Sequence, residues 1–590
     1  MKKTVALALG AVIWIGIAAA GAVAQQYKVI IEQNVAVRMR DGVTLRADIY
    51  RPDAPGKFPV LLERTPYNKA GEVERADKDA AHGYVVIIQD CRGRYASEGE
   101  WYPFKHESQD GFDTIEWAAA LPQSDGKVGM FGGSYVGATQ MLAAIAHPPH
   151  LAGIFPVVTA SNYHRNWTYQ GGAFTQWFGE SWTSGLAQNT LDRRVAEQTN
   201  AMHDANALPL DHYSLFPAPA TLGSAGLRAL APYFIDWLHH PTYDDYWKQW
   251  SIEADYSRIR VPAFHTGGWY DLFLDGTLRN YMGVKARGGT EAARNGQRLL
   301  VIVGGHAGFG RKVGDVDFGA QSVVDTNAIM IRWYDYLLKD VHNGVAQEKP
   351  VRYFLMGRNE WREADTWPPR NAQSTPFYLH SEGKANSAAG DGSLGAKAPG
   401  KESPDRFVYD PSDPVPTIGG RLCCDSLHLE PGARDQRPNE ARKDVLVYST
   451  PVFTHDFTIT GPVKLILYAS SSAVDTDFTA TLVDVDPGGF ARNLTDGIIR
   501  ARYRDSMQQP EFLTPGKIYK FTIDLWDTGN DFLAGHRLRL EVSSSNFPRF
   551  DRNLNTRESP EAGSRAVKAD NTVYHDAAHP SALVLPVIQP

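Results

Sequence analysis

The segment Gly132-Gly133-Ser134-Tyr135-Val136-Gly137 carries the clearest chemistry in the chain. It follows the apolar run Val128–Phe131 and opens a helical pattern, the strand–turn–helix setting that a nucleophile elbow requires. Gly132 and Gly137 let such a turn pack without Cβ clashes. Ser134 is then expected at the carboxyl edge of a sheet and the N-terminus of a helix. There the helix dipole and free N–H groups favour a developing anion. A serine hydroxyl is a weak nucleophile until a base takes its proton, so a histidine oriented by a carboxylate is expected on later strand ends. His306, in Gly304-Gly305-His306-Ala307-Gly308 after the run Leu299–Val303, is the candidate base. Asp271, in Gly267-Gly268-Trp269-Tyr270-Asp271 after Val261–His265, is the candidate acid, with Asp275 and Asp255 as rivals. Taken alone, Asp271 also reads as a helix N-cap. The chain order serine, acid, histidine favours the catalytic reading.

These residues need strands that end side by side. Short apolar runs recur over the first 160 residues, at 59–62, 84–88 and 128–131. Each is continuous rather than alternating, as strands covered on both faces should be. Helical patterns lie between them at 113–120 and 135–146, so a parallel, doubly wound sheet is expected. A hairpin around Asp41-Gly42 precedes it. From about Asn162 to Gln249 the chain is rich in Trp, Tyr, His and Gln with helical spacing, which reads as an inserted helical cap. Strands resume at 261–265 and 299–303, and an amphipathic helix from about Val323 to Lys339 closes the unit. After the Gly/Ala/Ser-rich loop 384–404, alternating strands separated by turn residues suggest a β-sandwich or jelly roll. The expected division is a signal peptide at 1–24, an α/β catalytic domain from 25–157 and 251–349, a cap at 158–250 and a β-sandwich at 350–590.

Composition narrows the function classes. The chain has 590 residues, 43% apolar and 22% charged, which excludes disorder, collagen and coiled coil as the main architecture. A net charge of -7 without any basic run argues against nucleic acid as a partner. Residues 1–24 combine Lys2 and Lys3, an apolar stretch and Ala22-Val23-Ala24, the pattern of a cleavable export signal. No other run spans a bilayer, so a periplasmic or secreted protein without a membrane span is expected. Three cysteines are too few for a disulfide framework. Adjacent Cys423 and Cys424 are expected to be buried free thiols, because a bridge would strain the peptide between them. No Cys-x-x-Cys pair supports a zinc site, and neither a metal nor an organic cofactor is expected. A homo-oligomer is compatible with the sequence.

The motifs together resemble those of the α/β-hydrolase family that contains cocaine esterase, α-amino acid ester hydrolases, glutaryl-cephalosporin acylases and X-prolyl dipeptidyl aminopeptidases. Gly132–Gly137 matches its Gly-x-Ser-Tyr-x-Gly pattern, Trp269-Tyr270-Asp271 its acid motif and Gly305-His306 its histidine loop. Residues 89–99, 475–478, 493–497 and 543–548 resemble further hallmarks. The resemblance implies an oxyanion hole built from the Tyr67 hydroxyl, in Thr65-Pro66-Tyr67, and the Tyr135 backbone N–H. It also exposes a departure. The amino-ester members hold a substrate ammonium with carboxylates, whereas this chain has Leu272-Phe273-Leu274 and Arg165-Asn166-Trp167 in the corresponding stretches. An ammonium buried without a counter-charge is costly, so an apolar or aromatic acyl group is expected instead. Trp167, Trp269 and Phe273 are the candidate pocket residues, with core packing as the competing reading for each. The expected activity is hydrolysis of a small-molecule ester or amide. An X-prolyl dipeptidyl aminopeptidase is the first alternative, and a non-catalytic carbohydrate-binding or scaffold protein the second.

Overall fold

The runs read as strands do form one sheet. The computed structural model describes residues 26–194, 230–306, 308–558 and 565–589. The expected signal peptide and cap residues 195–229 lie outside the described residues.

The strands of the first sheet are β1 (Val29–Arg38), β2 (Thr44–Pro52), β3 (Phe58–Thr65), β4 (Val85–Asp90), β5 (Ser124–Gly133), β6 (Leu151–Val157), β7 (Ala263–Tyr270), β8 (Gln297–Gly305), β9 (Val351–Leu355) and β10 (Glu360–Ala364). Their spatial order is β1-β2-β4-β3-β5-β6-β7-β8-β9-β10. Pairing is parallel from β4 through β9 and antiparallel at both edges. The β1–β2 hairpin at one edge makes the turn around Asp41-Gly42.

Both faces are covered, which is why the runs do not alternate. Val60 and Leu62 of β3 join one core with the helices α2 (Glu107–Ala119) and α3 (Tyr135–Ile145). Leu61, between them, joins another with α1 (Val73–Ala81) and the helix Thr326–Lys339. All three side chains are fully buried. The loops that follow β3, β5, β7 and β8 leave the same, carboxyl edge of the sheet, and they carry Tyr67, Ser134, Asp271 and His306.

Between β6 and β7 the chain leaves the sheet. It forms an irregular π-helical turn at His164–Thr168, a two-residue hairpin pairing Tyr169–Gln170 with Ala173–Phe174, and the helices α4 (Gln176–Arg194) and α5 (Pro232–His239). The small hairpin was not visible as a strand pattern because each arm is two residues long.

The C-terminal part is sheet-rich and mostly antiparallel. Its long strands include Phe457–Ser471, Asp477–Val485, Ala491–Arg500 and Tyr519–Phe532. It binds the first domain through backbone and side chain alike. The Met356 amide donates to the Gly529 carbonyl at 3.0 Å, and the Tyr270 hydroxyl donates to the Asn493 carbonyl at 2.9 Å. The Phe174 amide donates to Asp551 Oδ1 at 2.7 Å. These contacts fix the β-domain against both β7 and the cap.

Candidate active site

The nucleophile turn is tight. Ser134 follows β5 directly and caps α3 at φ 61°, ψ −125°, a sparsely populated conformation for a residue with a side chain. Its amide donates to the Val157 carbonyl at 2.9 Å, which ties the turn to β6. Gly132 sits at φ 123°, and a Cβ there would collide with the Val136 side chain. A Cβ on Gly137 would stand 2.6 Å from Thr159 Cβ. The Thr159 hydroxyl in turn donates to the Ser134 carbonyl at 2.9 Å. Glycine is therefore required at both positions for different reasons, one conformational and one steric.

Three sequence-selected side chains meet in line. His306 Nε2 lies 2.8 Å from Ser134 Oγ, and His306 Nδ1 lies 2.6 Å from Asp271 Oδ2. Asp271 is fully buried, and its other oxygen accepts the Phe273 amide at 2.7 Å. The carboxylate is thus held on one side by backbone and offers the other to the imidazole. The rival acids lie elsewhere. Asp275 takes Arg279 Nε at 2.7 Å and Asn166 Nδ2 at 2.9 Å, and Asp255 faces Arg258 at 3.5 Å.

Tyr67 and Tyr135 also converge on Ser134. The Tyr67 hydroxyl accepts Trp182 Nε1–H at 3.0 Å and lies beside the Ser134 side chain and the Tyr135 backbone. Burial of that hydroxyl pushes its pKa above the ordinary phenol value, against the pull of these partners. It stays a neutral donor at ordinary pH. Trp182 therefore aims Tyr67, a role for which the sequence held no signal beyond an aromatic in the cap.

The apolar candidates divide. Phe273 packs edge-on against His306 with ring centres 5.1 Å apart, and Trp167 stacks on Phe273 at 4.4 Å. Phe178 and Trp182 of α4 meet Trp167 edge-on. These rings form one wall behind the imidazole. Trp269 does not belong to it. Its Nε1 donates to the Phe354 carbonyl at 2.7 Å, and its ring packs on Trp367 and against Gly529 of the β-domain. The expectation that Trp269 lines the pocket is corrected. The Asp271 amide turns back onto the Gly268 carbonyl at 3.0 Å, so Trp269 and Asp271 do not share a face as residues two apart in a strand would.

The cysteine expectation is corrected too. Cys423 and Cys424 are bonded to each other, with Cys424 in the left-handed region at φ 78°. The bridge lies against the cap, where the Ser181 hydroxyl reaches the Cys423 carbonyl at 3.5 Å. Cys423 borders a small cavity shared with Trp167, Phe178 and Leu272. Cys91 is free and buried. Among the described residues no group of three or more His, Cys, Asp and Glu side chains is placed to hold a metal. No helix among them is long and apolar enough to cross a membrane.

Residues 41–308 match the model for X-Pro dipeptidyl-peptidase (S15 family), and residues 343–584 that for the X-Pro dipeptidyl-peptidase C-terminal non-catalytic domain. Cocaine esterase of Rhodococcus sp. is 38% identical over 579 residues, which is 95% of this chain and 99% of the relative. The chain belongs to the S15 family of serine hydrolases. Two solved structures extend the likeness over the whole fold. An α-amino acid ester hydrolase superimposes with a TM-score of 0.80 at 26% identity, covering 98% of this chain and 100% of its own. An aminopeptidase from a marine sediment Thaumarchaeota archaeon gives 0.81 at 25% identity, covering 95% and 97%. The family's α/β-hydrolase fold is thus the fold of this chain.

Proposed function

We propose that this S15 hydrolase is an exported esterase that forms an acyl-enzyme on Ser134. The observation that carries the reading is the line Asp271–His306–Ser134, at 2.6 and 2.8 Å, beside the hydroxyl of Tyr67. Ser134 Oγ attacks the ester carbonyl as its proton passes to His306 Nε2. Asp271 keeps the other ring nitrogen protonated and stabilises the imidazolium. The substrate oxygen becomes an oxyanion that takes the Tyr67 O–H and the Tyr135 N–H. Collapse breaks the carbonyl–leaving-group bond, and the leaving alkoxide takes the proton from His306. Water then adds to the acyl-enzyme by the same route in reverse and releases the acid and free Ser134. Two donors at the oxyanion matter because removing one typically costs about 3–4 kcal/mol.

The acyl side favours an uncharged, apolar or aromatic group. Phe273 and Trp167 stack on each other beside His306, and neither 272–274 nor 165–167 contains a carboxylate that could pair with a substrate ammonium. The next carboxylate, Asp275, is already engaged by Arg279 and Asn166. Export rests on the segment 1–24. The family description supports a second reading, release of X-Pro dipeptides. A panel of p-nitrophenyl esters of acetate, butyrate and benzoate against Ala-Pro and Gly-Pro p-nitroanilides separates the two. Turnover of the esters and not the anilides is expected. Preferential release from the anilides would replace the esterase reading with the peptidase one.

A further inference from the structure

The nucleophile's neighbour Tyr135 contributes its backbone to the site, yet its side chain points away into the protein. That side chain is fully buried, and its hydroxyl makes two hydrogen bonds. It donates to Glu107 Oε1 at 2.9 Å and accepts the Phe104 amide at 2.7 Å. Glu107, the first residue of α2, is 3% exposed and carries Arg64 Nη1 on its other oxygen at 2.8 Å. Arg64 is fully buried on β3 and is held further by Gln89 Oε1 at 2.8 Å. Asp110 lies 3.8 Å from its second terminal nitrogen. Cys91 completes the surroundings, with its thiol 3.8 Å from Glu107 and pushed well above its ordinary pKa by burial. Burial and the Glu107 charge likewise hold the Tyr135 phenol well above its ordinary range, so it remains a donor.

This chain of contacts runs from β3, through the start of α2, to the first residue of α3. We infer that Glu107, braced by Arg64, is a positioning residue for the oxyanion hole: it fixes the Tyr135 ring and through it the Tyr135 N–H. The inference rests on the hydrolase reading above and deepens it. The physical case lies in where an error would appear. Tyr135 N–H must meet the substrate oxygen at the position and charge it takes only on the way to the tetrahedral intermediate, and Ser134 beside it already holds an unfavourable conformation. An amide so placed needs an external brace. A phenol anchored to a buried carboxylate supplies one at a distance from solvent, where charge-assisted hydrogen bonds are strongest. The chemistry also makes Glu107 hard to replace. Glutamine could accept the Tyr135 proton through its carbonyl, but its NH2 would then face the Arg64 guanidinium, donor against donor.

The test is kinetic. Tyr135→Phe removes the hydroxyl and keeps the ring. A misplaced donor is expected to lower kcat by about 10- to 100-fold with KM changed less than about twofold. Inhibition by an arylboronic acid, whose Ser134 adduct mimics the tetrahedral intermediate, should weaken by the same factor. Binding of the carboxylic acid product should not move. Rates are taken per active site titrated with a fluorophosphonate, so that misfolded protein does not count. Glu107→Gln should give a similar loss, and the double variant no more than the worse single. Tyr135→Phe with wild-type kcat and boronate affinity overturns the inference, even if its melting temperature falls. So does a double variant whose loss is the product of the two singles. A wild-type protein with no hydrolase activity would sink the underlying reading instead, which keeps the two failures apart.

Discussion

Asp271→Asn is the perturbation whose consequence the geometry fixes most closely. The carboxylate makes two short contacts, 2.7 Å to the Phe273 amide and 2.6 Å to His306 Nδ1. An asparagine can keep only one of them as an acceptor. The Phe273 amide has no freedom to turn, so the asparagine oxygen stays with it and the NH2 faces Nδ1. The ring must then carry its proton on Nε2, the atom that has to accept the Ser134 proton. A second loss adds to this. A carboxylate about 4 Å from an imidazolium, at an effective dielectric near 20, stabilises the charged pair by about 4 kcal/mol. At about 1.4 kcal/mol per tenfold this term alone is close to 10³ in rate, and the wrong tautomer brings the expected loss in kcat to about 10³–10⁴. The assay is p-nitrophenyl ester hydrolysis under saturating substrate, with thermal unfolding measured alongside. A folded Asp271→Asn protein that lost less than tenfold in kcat would refute the argument that this carboxylate orients His306.

Other perturbations probe other parts of the account. Tyr67→Phe deletes one oxyanion donor and should lower kcat by about 10²–10³, while Trp182→Phe, which only aims that donor, should cost less in the same ester assay. Trp269→Phe loses the bond to the Phe354 carbonyl and contacts with Trp367, so its melting temperature should fall while KM for benzoate esters stays unchanged; a raised KM would return Trp269 to the pocket. Asp527 is pushed up to about 7 from 3.8, first by burial and then by the charges of Asp524 and Asp275, against the Trp367 indole N–H and Arg279. Between those two values the folded chain keeps a proton that the unfolded chain has lost, so this group's contribution to stability falls as pH rises from about 4 to about 7 and is level above. Denaturant titrations of Asp527→Asn should show that part of the slope gone, with the variant gaining on the wild type as pH rises; an unchanged profile would contradict the assignment.

Much of the site was legible because its signals are local. The elbow needs glycine at 132 and 137 for reasons of φ and of space, and such needs are written into consecutive residues. The runs at 59–62 and 84–88 read as covered strands because both faces of the sheet are packed, which leaves no room for alternation. What escaped the sequence depends on direction. Trp269 precedes Asp271 by two residues and on a regular strand would share its face, but the turn from Gly268 to Asp271 sends it to the β-domain. For Cys423 and Cys424 the sequence shows only that they are adjacent, and the left-handed backbone at Cys424 that goes with their bridge leaves no sequence signal. The braces behind the site were equally hidden. Trp182 on Tyr67 and Glu107 on Tyr135 join segments 115 and 28 residues apart, and nothing in the local pattern of either partner points to the other.

The central claim is that Ser134 is the nucleophile of this chain. Reaction of the purified protein with a fluorophosphonate, followed by peptide mass mapping, tests it most directly. One adduct is expected, on the peptide carrying Ser134, formed in step with the loss of esterase activity and absent from His306→Ala at the same exposure. An adduct on a different serine, or a Ser134→Ala protein that still hydrolyses the esters at the wild-type rate, would contradict it.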